Sequence, residues 1–456
     1  MQEFDTIIIG AGTAGQTAAY DLVAEGLRVA VVDRSQTPGG ICALHGCQAK
    51  KWFYEVSETI ARSRHLHHLG ITVPAEADWA EILREKNRFT AKIPEATIKN
   101  LQGNGISYFS GEASFIDHAT LVVNGEQFTA DAIIIASGAE PMRLPISGAE
   151  QLATSNDFLA LAELPKRIAF IGGGFISFEF AHFAARLGAT AGEIHILEAQ
   201  DRPLAPFDGE MVNLLVEAST AEGIRLHTGV TVTAIGKTAS GYRVELQSGD
   251  SLEVDLVVNG AGRTASIAGL NLEAAGVEFT RRGISVDGRM RTTNERIYAI
   301  GDCAASLQLA RVADMEGHIA AQAIIAEKEG GQAPEIDYRA APAVLFTYPQ
   351  LGMVGRTEEQ LQEAGVKYWK SHDAHLSWPT YRRIGMKHAA YKILVDGDNR
   401  ILGGHFLADS TTGLVNTFKQ AMLDGTTIAE LSRSNIMAPY PSRESDILYM
   451  LGPLLD

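Results

Sequence analysis

Two sulfurs five residues apart, Cys42 and Cys47, are the first groups in this sequence that could carry redox chemistry. They lie in the segment Gly39-Gly40-Ile41-Cys42-Ala43-Leu44-His45-Gly46-Cys47-Gln48-Ala49-Lys50-Lys51. A disulfide needs its two Cα atoms within about 7 Å. Residues five apart on a regular helix point ~140° away from each other, so a bridge between them requires a broken turn. Gly46 permits one. A thiolate in such a pair is stabilised by nearby positive charge, and Lys50 and Lys51 are the candidates. The chain has only three cysteines, the third being Cys303. So sparse and odd a set is not a secreted disulfide framework. Zinc would need four ligands, and no second cysteine pair exists. Two packing cysteines remain the blander reading, and Cys303 reads as one. His65, His67 and His68 read as a solvated surface cluster, and His372 and His375 as part of a surface loop.

The elements that must position such a pair show an internal echo. Residues 4–33 read as an apolar strand, a Gly-rich turn, a helix and a second strand ending in an acid; residues 168–198 read the same way. In the first turn Gly10 makes the strand-to-helix corner, Gly12 lets backbone approach a pyrophosphate, and Gly15 lets helix and strand pack closely. The pyrophosphate would rest on free N–H groups at the helix N-terminus, with Asp33 accepting from an adenosine ribose. The second turn keeps Gly172 and Gly174 but has Ser177 in place of the third glycine. Glu198 ends its second strand. A carboxylate there favours a free 2′-hydroxyl and repels a 2′-phosphate, which selects NADH over NADPH; Arg202, four residues on, argues the other way. Two such units imply two dinucleotide sites.

Residues 50–100 read as amphipathic helices and 106–136 as short strands, with a buried strand at Ala132-Ile133-Ile134-Ile135-Ala136. Residues 225–262 are again strand-rich. Residues 336–456 form a separate α+β texture after a linker near Gly330-Gly331-Gln332-Ala333-Pro334. The formal charge of −16 disfavours nucleic acid or an anionic membrane surface as partner. The N-terminus enters an apolar strand without a positive leader, and no apolar run nears the ~20 residues of a membrane span, so a cytoplasmic protein is expected.

The ordered motifs resemble those of the pyridine nucleotide-disulfide oxidoreductases with a CxxxxC centre: glutathione reductase, dihydrolipoamide dehydrogenase and mercuric reductase. Gly39-Gly40-Ile41-Cys42 through Gly46-Cys47 and Lys51 resembles GGTCxxxGCxPxK. Ala136-Ser137-Gly138-Ala139-Glu140-Pro141 is similar to ATGxxP, Gly262-Arg263 to the GR motif, and Ile297-Tyr298-Ala299-Ile300-Gly301-Asp302 to the second FAD motif. Glu316-Gly317, Phe346-Thr347-Tyr348-Pro349 and Val354-Gly355 resemble later family segments.

The resemblance implies an α/β fold: two Rossmann-like dinucleotide-binding domains (FAD and NAD(P)) plus a C-terminal α+β dimerisation domain. The expected divisions are an FAD domain over 1–149, an NAD(P) domain over 150–264, an FAD return segment over 265–334 and an interface domain over 335–456. Gly10, Gly12, Gly15, Asp33, Gly40, Ser137, Gly138, Gly301 and Asp302 would hold FAD. Gly172, Gly174, Phe175, Glu198 and Gly262 would hold NADH, with NADPH less favoured. Cys47 would be the flavin-side thiol and Cys42 the one that exchanges with substrate. Lys51 would sit near the flavin, paired with Glu179. The interface domain implies a homodimer in which each copy completes the other's site.

The departures fall on the acceptor side. Ile41 replaces the family's Thr, and no Pro follows Cys47. Where the family has HPTxxE, this chain reads Tyr440-Pro441-Ser442-Arg443-Glu444-Ser445. Tyr440 stands at the position of the acid–base His, and Glu444 falls one place before the family's Glu, with Ser445 at its place. A Tyr of pKa about 10 is a poor base at pH 7. Mercuric reductases share that Tyr but add a C-terminal cysteine pair, and no Cys follows Cys303 here. The expected activity is electron transfer from NADH through FAD and Cys42–Cys47 to a small disulfide. A metal-ion reductase acting on Hg or Cu with the same thiols is the first alternative, and a diaphorase-like quinone or oxygen reductase the second.

Overall fold

The computed structural model describes residues 1–455, which fall into two compact units. The first gathers Met1–Trp52, Leu83–Met142 and Gly262–Ile336; the second gathers Phe53–Ile82, Arg143–Ala261 and the chain from Asp337 onward.

The first unit is built on a parallel sheet with the strand Gln2–Ile9 at its centre. On one side lie Val29–Asp33 and Ser107–Ser110; on the other lie Glu126–Ile135 and, beyond it, Ile297–Ala299. Ile7 is in register with Ala30 on one neighbour and Ile133 on the other, and all three are buried. Strands covered on both faces read as continuous apolar runs, which is why Thr-Ile-Ile-Ile and Ala-Ile-Ile-Ile recur here. The edge strands Ala113–Phe115 and Thr120–Val123 join antiparallel. The helices Thr13–Ala24 and Ala310–Glu329 pack against each other closely; a side chain at Gly317 would stand 2.7 Å from the Ala14 carbonyl.

The second unit repeats the plan in its 143–261 part. A parallel sheet orders Ile224–His227, Ile194–Leu197, Ile168–Ile171 and Leu256–Asn259. From Asp337 onward it adds an antiparallel sheet in the order Ala343–Leu345, Gln350–Gly355, Ile401–Ala408, Ala390–Val395 and Trp369–Asp373, backed by the helix Thr412–Asp424. The α/β class expected from the sequence is the one observed, and the amphipathic stretch becomes the helices Cys47–His65, Trp79–Thr90 and Ile93–Gly103.

Two smaller expectations need correction. His65 is not a solvated residue: it closes the helix Cys47–His65 and packs edge-on against Tyr348, ring centroids 5.2 Å apart. His67 and His68 follow in a 3-10 turn. His372 is not in a loop either. It lies in the strand Trp369–Asp373 and stands 3.3 Å from Glu210.

Candidate active site

The first Gly-rich turn is shaped by what it leaves out. Gly10 has φ +116°, and a Cβ on it would collide with the Ala136 carbonyl; one on Gly15 would collide with the Gly10 carbonyl. Gly12 is the N-cap of the helix Thr13–Ala24, and no side chain caps that end. Its first amides are therefore presented to a ligand, the geometry that suits a pyrophosphate. Asp33 accepts from Ala11 N–H at 2.6 Å and Ser35 N–H at 2.7 Å, so its carboxylate sits at the mouth of the turn. Gly40 (φ +76°) lies against it: a Cβ there would come within 2.6 Å of the Gly12 Cα. That contact sets the short helix Gly40–Leu44, and Cys42 with it, beside the turn.

The cysteine pair is held by a break between helices. The helix Gly40–Leu44 stops at His45, and the helix Cys47–His65 starts two residues later. At Gly46 a Cβ would stand 3.0 Å from the Ile41 carbonyl, so glycine lets the chain fold back. The break brings the sulfurs together despite their helical phase. In the dithiol form the Cys42 S–H donates to the Cys47 sulfur. That hydrogen bond lowers the Cys47 pKa to about 6; burial opposes it, and the charges of Lys50 and Lys51 assist it. The same bond, then burial and the Cys47 charge, push Cys42 far up. Cys47 is thus the more acidic sulfur of the pair and Cys42 its proton donor.

Other expected residues of the first unit close around the sheet end. Gly301 N–H donates to the buried Glu316 Oε2 at 2.6 Å, fixing the turn that carries Asp302. Burial raises the Asp302 pKa, and the charge of Arg263 opposes that rise. Thr13 donates to Asp314, which also pairs with Arg311 at 2.8 Å. Ser137 and Gly138 follow the strand Glu126–Ile135, and the thiol of the fully buried Cys303 donates to the Ile135 carbonyl at 3.2 Å. Gly262 belongs to this unit, where its carbonyl accepts from Met142 N–H at 3.1 Å.

In the second unit the other Gly-rich turn matches the first in detail. Gly174 caps the helix Phe175–Leu187 at φ −87°, ψ −179°, against −75° and −179° for Gly12, again with no side-chain cap. A Cβ on Gly172 would come within 2.5 Å of Ala261 Cα. Ser177 fits the third glycine's place because Gly260 faces it; a Cβ on Gly260 would collide with the Ser177 hydroxyl. Glu198 accepts from Gly173 N–H at 2.5 Å and Gln200 N–H at 2.7 Å, as Asp33 does in the first turn. Phe175 is 49 % exposed. Glu179 is buried and accepts from Phe346 N–H at 3.0 Å.

Tyr440 is 70 % exposed, beside Ile436 and Met437, which is 86 % exposed. Glu444 opens a 3-10 turn in the space left by Gly413, where a Cβ would collide with its carboxylate. Sequence reasoning missed a buried ionic cluster on Lys392, which contacts Asp208, Glu210 and Glu358. A lysine inside the apolar strand Ala390–Val395 was the available signal, since a buried lysine needs a partner.

The family model described as pyridine nucleotide-disulphide oxidoreductase matches residues 4–317, and its dimerisation domain matches 341–447. The chain belongs to the pyridine nucleotide-disulphide oxidoreductases. Among its relatives in that family, mercuric reductase from Staphylococcus aureus is 32% identical over 451 residues, 96% of this chain and 80% of that one. Glutathione reductase from Burkholderia cepacia is 30% identical, with 94% of each chain covered. A solved structure described as the Cu(II) complex of the HOCl-induced flavoprotein disulfide reductase RclA from Escherichia coli superposes with a TM-score of 0.87 at 26% identity, over 100% of both chains.

As a pyridine nucleotide-disulphide oxidoreductase the protein is an FAD-dependent enzyme working with NAD(P)H, and its dimerisation domain supports a homodimer. The glycine-lined, uncapped turn of the first unit fits FAD. Among the described residues no helix is long and apolar enough to cross a membrane.

Proposed function

We propose that this enzyme takes electrons from NADH and delivers them through the Cys42–Cys47 pair to an external acceptor. The observation that carries this reading is the placement of the two cysteines, at the break between the helices Gly40–Leu44 and Cys47–His65 and beside the first Gly-rich turn. FAD, when bound on the first Gly-rich turn, supplies the two-electron link between nicotinamide and thiols. Gly10, Gly12, Gly15, Asp33, Gly40, Ser137, Gly138, Gly301 and Asp302 would hold it. Gly172, Gly174, Phe175, Glu198 and Gly262 would hold NADH; Glu198 supports that choice over NADPH, because a carboxylate at the end of the second strand would repel a 2′-phosphate.

With a disulfide as acceptor, Cys42 gives its proton to the Cys47 thiolate and attacks one substrate sulfur, releasing the first thiolate and leaving a mixed disulfide. Cys47 then loses that proton to the departing thiolate and attacks Cys42, releasing the second, which takes a proton from water. The pair ends as a disulfide, and the substrate as two thiols. Lys50 and Lys51 stabilise Cys47 as the thiolate. This internal proton transfer does part of what a histidine base would do, and Tyr440 is too weak a base to supply the rest.

The Tyr favours a second reading for the acceptor. A metal ion takes electrons without a proton: two Cu(II) become two Cu(I), or one Hg(II) becomes Hg(0), as the thiol–thiolate pair becomes a disulfide and its one proton leaves to solvent. The likeness to the Cu(II) complex and to mercuric reductase supports this class. NADH oxidation measured against oxidised glutathione, lipoamide, Cu(II), Hg(II) and a quinone separates the readings. Cys42→Ser should lose turnover of its disulfide or metal acceptor by roughly a thousandfold or more, with quinone reduction kept. Full activity of Cys42→Ser on every acceptor would refute the relay.

A further inference from the structure

The stretch 198–209, Glu-Ala-Gln-Asp-Arg-Pro-Leu-Ala-Pro-Phe-Asp-Gly, holds one basic residue, Arg202. A guanidinium this close to a ribose-binding carboxylate is the natural partner for a 2′-phosphate. Here it is engaged elsewhere. Its Nη1 donates to the Phe207 carbonyl at 2.8 Å and its Nη2 to the Ala205 carbonyl at 2.9 Å.

Those carbonyls lie in a loop tied at both ends. At the near end Leu204 N–H donates to the Gly173 carbonyl, inside the second Gly-rich turn, at 2.9 Å. At the far end Asp208 caps the helix Gly209–Ala221, and both its carboxylate oxygens lie 3.0 Å from Lys392 Nζ. Lys392 is 2 % exposed. It also donates to Glu358 Oε2 at 2.8 Å and stands 3.0 Å from Glu210 Oε2. Glu359 accepts from Gly209 N–H at 2.7 Å. A Cβ on Gly209 would stand 2.6 Å from Glu359 Oε1 and 3.1 Å from Arg202 Nη1, so the acid and the guanidinium flank one backbone position. Displacing any member of such a cluster leaves charge buried without compensation.

We propose that Arg202 decides the choice between pyridine nucleotides, and that Lys392 and Glu359 are positioning residues that hold it on the loop carbonyls so that Glu198 alone meets the ribose. The proposal rests on the reading of Glu198 given above. Released from its carbonyls, Arg202 would be available to a 2′-phosphate; tethered, it leaves that phosphate facing the Glu198 carboxylate.

The test is calorimetric binding of NAD⁺ and NADP⁺ to the holoenzyme. Glu359→Ala removes one tether at an exposed position, and the combination Lys392→Met, Asp208→Asn and Glu358→Gln removes the other without stranding a buried charge. Each should raise NADP⁺ affinity relative to NAD⁺ by about tenfold, the size of one charge-assisted contact. Adding Arg202→Ala should erase the gain. Equal weakening of both nucleotides, or a gain that survives Arg202→Ala, overturns the proposal. Glu198→Gln with the tethers intact reports on the carboxylate alone. An unchanged ratio there defeats the reading of Glu198 and the proposal's premise with it; a shifted ratio there, with none in the tether variants, defeats the proposal only.

Discussion

The chemistry begins with one proton shared between two sulfurs. The Cys47 pKa is lowered chiefly because Cys42 donates to it, and only then because Lys50 and Lys51 stand near. Iodoacetamide reacts with thiolates, so in the reduced enzyme the alkylation rate of Cys47 should rise through a midpoint near pH 6, followed by peptide mass spectrometry. Cys42 should stay slow across that range, because its folded-state pKa is raised. Cys42→Ala removes the donor and should move the Cys47 midpoint toward the ordinary thiol value of about 8.5. An unshifted midpoint in that variant would assign the effect to the lysines instead. The pair and its lysines were legible in the sequence by type and spacing. Which sulfur carries the charge was read only from resemblance, because it depends on the break at His45–Gly46, and that follows from packing around Gly46.

At the scale of elements, the two Gly-rich turns were readable because Gly10, Gly15 and Gly172 stand where a Cβ would collide with backbone. The exception, Ser177, is explained by a residue 83 positions away: Gly260 vacates the volume that the hydroxyl fills. No local pattern could have paired them, since the contact exists only once the strand Leu256–Asn259 lies beside Ile168–Ile171. Gly260→Ala should therefore destabilise the second unit by about 1–3 kcal/mol, the range for overpacking, read by chemical denaturation. Ser177→Gly in the same chain should recover most of the loss. If Gly260→Ala alone proved neutral, the complementarity would carry no weight. The Lys392 cluster was hidden for the same reason: Asp208 and Lys392 are 184 residues apart in the chain.

Over the whole molecule, the nucleotide-binding side was legible and the acceptor side was not. Both nucleotide turns are continuous segments, whereas the C-terminal stretch carrying Ile436, Met437 and Tyr440 is exposed on the single chain, within the part matched by the dimerisation domain. If a second copy completes the acceptor pocket, as we propose from the family resemblance, a lone sequence says little about it. The electron path itself is open to one direct measurement, the absorbance spectrum of the holoenzyme during anaerobic titration with NADH. A Cys47 thiolate against the flavin should give a long-wavelength band after one equivalent; Cys42→Ser, which cannot form the disulfide, should show that band before any NADH is added, and Cys47→Ser should never show it. Bleaching of the flavin with no such band in the unsubstituted enzyme, at a pH above the Cys47 midpoint, would contradict the relay.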